Sequence, residues 1–112
     1  MTLGDKRRRF TLRISQLVVW ADLQGYGLAY EDVKAHDGHM KGSMHYSGLA
    51  ADLNAYIWNG RRWVWQTGSG AHEVMGPEWE RMGGKWGGRY KTKGGGMDYN
   101  HYEWGIDLHE HG

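Results

Sequence analysis

Leu49-Ala50-Ala51-Asp52-Leu53-Asn54-Ala55-Tyr56-Ile57-Trp58, then Asn59-Gly60, then Arg61-Arg62-Trp63-Val64-Trp65-Gln66 is the stretch on which the fold turns. Its first part alternates well enough to predict a strand over Leu49–Trp58. Asn-Gly between two β-prone runs is a hairpin signal, because a tight two-residue turn needs positive φ at both positions. With that turn, Trp58 pairs with Arg61, Tyr56 with Trp63 and Asn54 with Trp65. Opposed residues share a face. Asp52, Asn54, Tyr56, Trp63 and Trp65 therefore lie together, and Leu53, Ala55, Ile57 and Val64 lie on the other face, ready to pack on a helix.

That helix is predicted over residues 10–24. Phe10, Ile14, Leu17, Val18 and Ala21 recur as one apolar stripe, and Gly25 is a natural stop. Tyr26 to Lys34 reads as extended, 35–47 as a polar loop with Gly and His, and 67–76 as loop or frayed helix. Pro77 suits the first position of a short helix, Pro77 to Met82, closed by Gly83. Trp86 to Tyr90 and Tyr99 to Trp104 are strand candidates, joined by the basic run Lys91 to Met97. The expected fold is α+β: a small antiparallel sheet, a packed N-terminal helix and a short second helix.

The chain has 112 residues, one domain over 1–112. It contains no cysteine, which excludes a disulfide scaffold, a thiol nucleophile and Cys-ligated zinc. No apolar run approaches the ~20 residues of a membrane span, and no secretory signal pattern opens the chain. Lys6, Arg7, Arg8, Arg9 and Arg13 against Asp5 give a local +4 within an overall +1. This run reads as a solvated helix approach, with neither nucleic-acid binding nor stable membrane insertion expected. Seven Trp and seven Tyr against one Phe suit a surface that grips a polar ligand, although such rings also build cores.

With seven histidines and no cysteine, any transition-metal site must combine His with Asp or Glu. Asp52 follows His45 by seven residues, with Gly48 between them and small Ala50 and Ala51 leaving room. His101 lies on or just before the last strand. His45, Asp52 and His101 match a catalytic zinc site at one end of the sheet, with a fourth position open to water. A carboxylate near that water would be the general base, and Asp98 and Glu103 are the local candidates. His36, His39 and His72 read as residues solvated at the surface or held by a local hydrogen bond. His109 and His111 read as a tail or an extra metal site.

The motif Ser43-x-His45-x-x-Gly48-x-Ala50-x-Asp52 resembles the first zinc motif of the D-Ala-D-Ala and L-Ala-D-Glu peptidases, the VanX- and VanY-like family that includes small bacteriophage endolysins. Asp98-x-x-His101-Tyr102-Glu103 resembles its second motif. Trp79-Glu80-x-x-Gly83-Gly84-x-Trp86-Gly87-Gly88-Arg89 is similar to a stretch of the small phage members, and Phe10-Thr11 through Gly25-Tyr26 to their first helix and its exit.

The resemblance implies that His45, Asp52 and His101 bind Zn²⁺ and that Asp98 is the general base. Glu103 is then either a partner of the ligand shell or a strand residue, and Ser43 either lies beside the substrate or stabilises a turn. Family members usually carry an arginine before the first motif to polarise the scissile carbonyl. Here the segment is Tyr30-Glu31-Asp32-Val33-Lys34, so Lys34 takes that place without the planar fork of a guanidinium. Trp63 and Trp65, on the face of Asp52, either wall the substrate side or are core residues. The implied activity is zinc-dependent hydrolysis of peptidoglycan stem peptides, at the L-Ala-D-Glu bond in an endolysin-like enzyme. The alternatives are a D-Ala-D-Ala carboxypeptidase and a non-catalytic, Trp/Tyr-rich wall-binding module. A monomer made in the host cytoplasm and acting in the periplasm after release is expected.

Overall fold

Thr2 and Asp5 start the first helix by capping each other. The Asp5 amide donates to Thr2 Oγ1 and the Thr2 amide to Asp5 Oδ2, each at 3.1 Å. This reciprocal cap satisfies two amides that a helix start otherwise leaves open. In the computed structural model, which describes residues 2–32, 48–89 and 97–104, α1 therefore runs Leu3–Leu23, seven residues earlier than the apolar stripe predicts. The basic run lies on its first turns. Phe10, Ile14, Leu17 and Ala21 are buried, as their spacing requires. Gln24 caps the end, and Gly25 turns the chain at φ 94°.

β1 (Tyr26–Asp32), β2 (Ala50–Trp58), β3 (Trp63–Gln66), β4 (Gly84–Trp86) and β5 (His101–Trp104) form one antiparallel sheet. Its order is β1-β2-β5-β4, with β3 also paired to β2. β2 is the centre. Along one edge it pairs with β1; the other edge is shared, β5 on residues 50–52 and β3 on residues 55–58.

The hairpin differs from expectation in register and not in face. Trp58 pairs with Trp63 and Tyr56 with Trp65. The connection is four residues, because Asn59 Oδ1 accepts from the amides of Arg61 at 2.9 Å and Arg62 at 3.0 Å. This side-chain turn displaces the pairing by two, and a shift of two preserves every residue's side of the sheet.

The inward face of β2 (Ala51, Leu53, Ala55) packs with α1, and with Met75 and Trp79 of the second helix, into one core. That helix, α2, runs His72–Arg81 with Pro77 in its interior, not at its first position. Pro77 withholds a donor from the carbonyl of Glu73, which is exposed and can be solvated. Gly76 beside it has no room for a Cβ, since the Trp86 ring lies against its Cα. The expected Trp86–Tyr90 strand is instead β4 followed by a 3₁₀ turn, Gly87–Arg89. His72 is neither solvated nor locally bonded: it is 4% exposed, and its Nδ1 lies 2.7 Å from the hydroxyl of the distant Tyr102.

Candidate metal centre

Asp52 of β2 and His101 of β5 stand directly opposite each other in the ladder. Residues so paired present their side chains on one face. Asp52 Oδ1 lies 3.4 Å from His101 Nδ1. Asp98 reaches the same nitrogen from the preceding turn, its Oδ2 at 3.8 Å. On the far side of the ring, His101 Nε2 lies 2.8 Å from Glu103 Oε1.

Backbone geometry holds the Asp98–His101 turn. The His101 amide donates to the Asp98 carbonyl at 3.1 Å, and the Asp98 amide to the Gly87 carbonyl at 3.2 Å. A Cβ on Gly87 would run into the Asp98 carbonyl oxygen and the His101 Cβ. Glycine is required there because the turn carrying both side chains rests on its Cα. Gly87 is itself presented by the Trp86 anchor, whose indole N–H donates to the Tyr99 carbonyl at 2.7 Å.

The electrostatics favour a cation. His101 is buried, which opposes its charge, but the carboxylates of Asp52, Glu103 and Asp98 outweigh burial and raise its pKa to about 9. Three acids around one imidazole call for positive charge, whether a proton or a metal ion. The spacing fits zinc. Bonds of about 2.0–2.1 Å at the tetrahedral angle place neighbouring donor atoms about 3.4 Å apart, the separation found between Asp52 Oδ1 and His101 Nδ1.

Among the described residues, no three His, Asp or Glu side chains form a metal cage by themselves. His45, the third expected ligand, lies outside the described residues, as do Ser43, Lys34, His36, His39, His109 and His111. β1 ends at Asp32, in register with Asp52, so Lys34 follows the strand end nearest that carboxylate by two residues.

Trp63 and Trp65 are 45% and 58% exposed, which removes the core reading for both. They differ in surroundings. Trp63 lies over Gly27 and forms a T-shaped pair with Trp58, ring centroids 5.6 Å apart. Trp65 lines a notch of about 290 Å³ with Asn54, Gln66, Tyr99 and Asn100, where β3 ends and β5 begins. Asn100 immediately precedes His101, so this notch adjoins the Asp52–His101 pair. Glu31, an unexplained charge in the sequence, sits at the irregularity between Tyr30 and Asp32 and accepts from Asn100 Nδ2 at 2.6 Å. Nothing in the local sequence announces that link, because a bulge in β1 creates it.

A family model described as D-alanyl-D-alanine carboxypeptidase matches residues 37–104 of the chain. The matched segment contains Ser43, His45, Asp52, Asp98 and His101, and excludes α1 and Lys34. No curated protein matches the chain significantly.

Proposed function

The chain belongs to the D-alanyl-D-alanine carboxypeptidase family of peptidases, and from that premise we propose that it is a zinc-dependent hydrolase of peptidoglycan stem peptides. The observation that carries the reading is the convergence of Asp52 and Asp98 on one edge of the His101 ring. In this proposal His45, Asp52 and His101 hold the ion. Zn²⁺ bound there would act as a Lewis acid and lower the pKa of a water molecule toward about 7.

The chain's own residues divide the remaining work. Asp98 is partly exposed and farther from Nδ1 than Asp52, so it stands beside the ligands with its carboxylate partly open to solvent. It takes the proton of the attacking water and returns it to the leaving amine. Lys34 supplies positive charge to the developing oxyanion. Ser43 is assigned to substrate binding on the family resemblance alone, and Trp65 in the notch, with Trp63 farther along the hairpin, supplies exposed ring surface to the wall polymer.

The bond proposed is L-Ala-D-Glu, in an endolysin-like role, supported by the resemblance of Trp79 through Arg89 to small phage enzymes. The family description favours a second reading, removal of the terminal D-Ala. Mass spectrometry of muropeptides after digestion of purified peptidoglycan decides between them. Free N-terminal D-Glu peptides support the first and released D-Ala the second. Unchanged muropeptides with zinc-loaded protein would remove the peptidase assignment.

A further inference from the structure

Glu103 is a buried carboxylate on the face of β5 that carries His101. All four residues of β5 are buried, and Glu103 is 9% exposed. A carboxylate there costs several kcal/mol unless a partner compensates it. Strand geometry puts residues two apart on the same face, so Glu103 and His101 are neighbours on the side that carries Asp52. The Glu103 backbone is fixed from the core side, where the fully buried Trp79 donates its indole N–H to the Glu103 carbonyl at 2.9 Å. In register beside it stand Ala50 of β2, which offers only a methyl, and Lys85 of β4, a cation on the same face. On its own strand the Glu103 carboxylate meets His101 Nε2 at 2.8 Å.

We infer that Glu103 is the positioning residue of the metal centre: by taking the Nε2 proton of His101 in a hydrogen bond, it turns the Nδ1 lone pair toward Asp52 and the ion. This rests on the zinc-site reading above. The two ring nitrogens of a histidine are not equivalent, and the one that ligates is set by the hydrogen bond made by the other. Without an acceptor at Nε2 the ring is free to flip about χ2 or take the other tautomer, and either moves the lone pair off the ion. Asp52 and Asp98 both lie on the Nδ1 side, so a ligand set built on Nε2 would be split across the ring.

The test measures zinc affinity of the intact chain by competition with a chromophoric chelator, for wild type, Glu103→Gln and Glu103→Ala. Removing such a partner weakens metal binding by about 10–100-fold. The expected order is wild type tightest, Glu103→Gln weaker by about tenfold and Glu103→Ala weakest, because the amide keeps one acceptor oxygen without its charge. A second readout is the melting temperature with and without zinc. A positioning role shrinks the zinc-induced rise in Tm. A merely structural role lowers both melting temperatures together, leaves affinity unchanged, and overturns the proposal. Should Glu103→Ala fail to fold, Glu103→Gln decides alone. Ring-nitrogen NMR of zinc-loaded protein should show His101 Nε2 protonated and Nδ1 bound; zinc on Nε2 would also overturn it. Wild type that binds no zinc would sink the zinc-site reading itself, a failure distinct from equal affinity across the series.

Discussion

His72 at the start of α2 meets Tyr102 of β5 inside the core, imidazole Nδ1 to phenol oxygen at 2.7 Å, with both residues almost fully buried. Burial lowers the His72 pKa from 6.5 to about 4. The folded protein therefore holds this ring neutral where the unfolded chain protonates it. Stability from this group is full above about pH 6.5, falls as the pH drops, and is lost by about pH 4. The loss should reach about 3 kcal/mol. Urea denaturation of wild type and His72→Gln between pH 7 and pH 4 checks this. The stability difference between the two should shrink or reverse on acidification; a constant difference would show that His72 does not titrate there.

Asp98 should separate from the ligands in its behaviour. Asp98→Asn is expected to fold and bind zinc like wild type while losing about 10²-fold or more in hydrolysis, because the amide accepts no proton at neutral pH. Stem-peptide turnover with zinc content measured on the same sample checks it. Near-normal turnover would pass the base role to another group.

His101→Ala should lose zinc outright. It also leaves the buried Glu103 carboxylate without the imidazole at 2.8 Å, so stability of the metal-free protein should fall by about 3 kcal/mol. Elemental analysis and denaturant melts read the two effects separately. Stoichiometric zinc retained by this variant would refute the ligand assignment.

Two glycines should respond differently to alanine. Gly87→Ala forces the Asp98 carbonyl and His101 side chain away, so it should cost about 1–3 kcal/mol and weaken zinc binding. Gly60 has φ 98° but open space around it, so Gly60→Ala should cost about 1 kcal/mol and leave zinc affinity unchanged. Equal zinc affinity in both variants would contradict the role given to Gly87.

Trp65 lines the notch beside the candidate centre and is exposed. Trp65→Ala should therefore raise KM for wall peptides about 2- to 10-fold, the scale of one aromatic contact, with Tm nearly unchanged. A large fall in Tm with KM constant would return Trp65 to a structural role.

These residues also show where a sequence can be read and where it cannot. Phe10, Ile14, Leu17 and Ala21 announce the packed face of α1 because their period is that of a helix with one side buried. Asp52 and His101 were legible as partners through their motifs, and the parity of β2 placed Trp63 and Trp65 on Asp52's side despite a wrong turn length. The turn failed because Asn59 Oδ1 binds two amides, which a dipeptide rule does not weigh. The start of α2 failed because Ala71 caps it with no side-chain hydrogen bond. His72 is illegible for the same reason: with no cap to mark the helix start, nothing in the local sequence aims it at Tyr102. The full burial of β5 left no alternation by which Glu103 could be told from a surface strand residue.

The shared edge of β2 divides that strand into two tenancies. Residues 50–52 answer to β5 and the Asp52–His101 pair, and residues 55–58 to β3 and its tryptophans, with Leu53 and Asn54 between them. Cross-strand packing is felt chiefly between immediate neighbours, so β3 and its loop can be rebuilt, by design or by drift, without disturbing Asp52 opposite His101. In the proposed peptidase, new ring surfaces can be tried on one half of a strand while the other keeps Asp52 against His101.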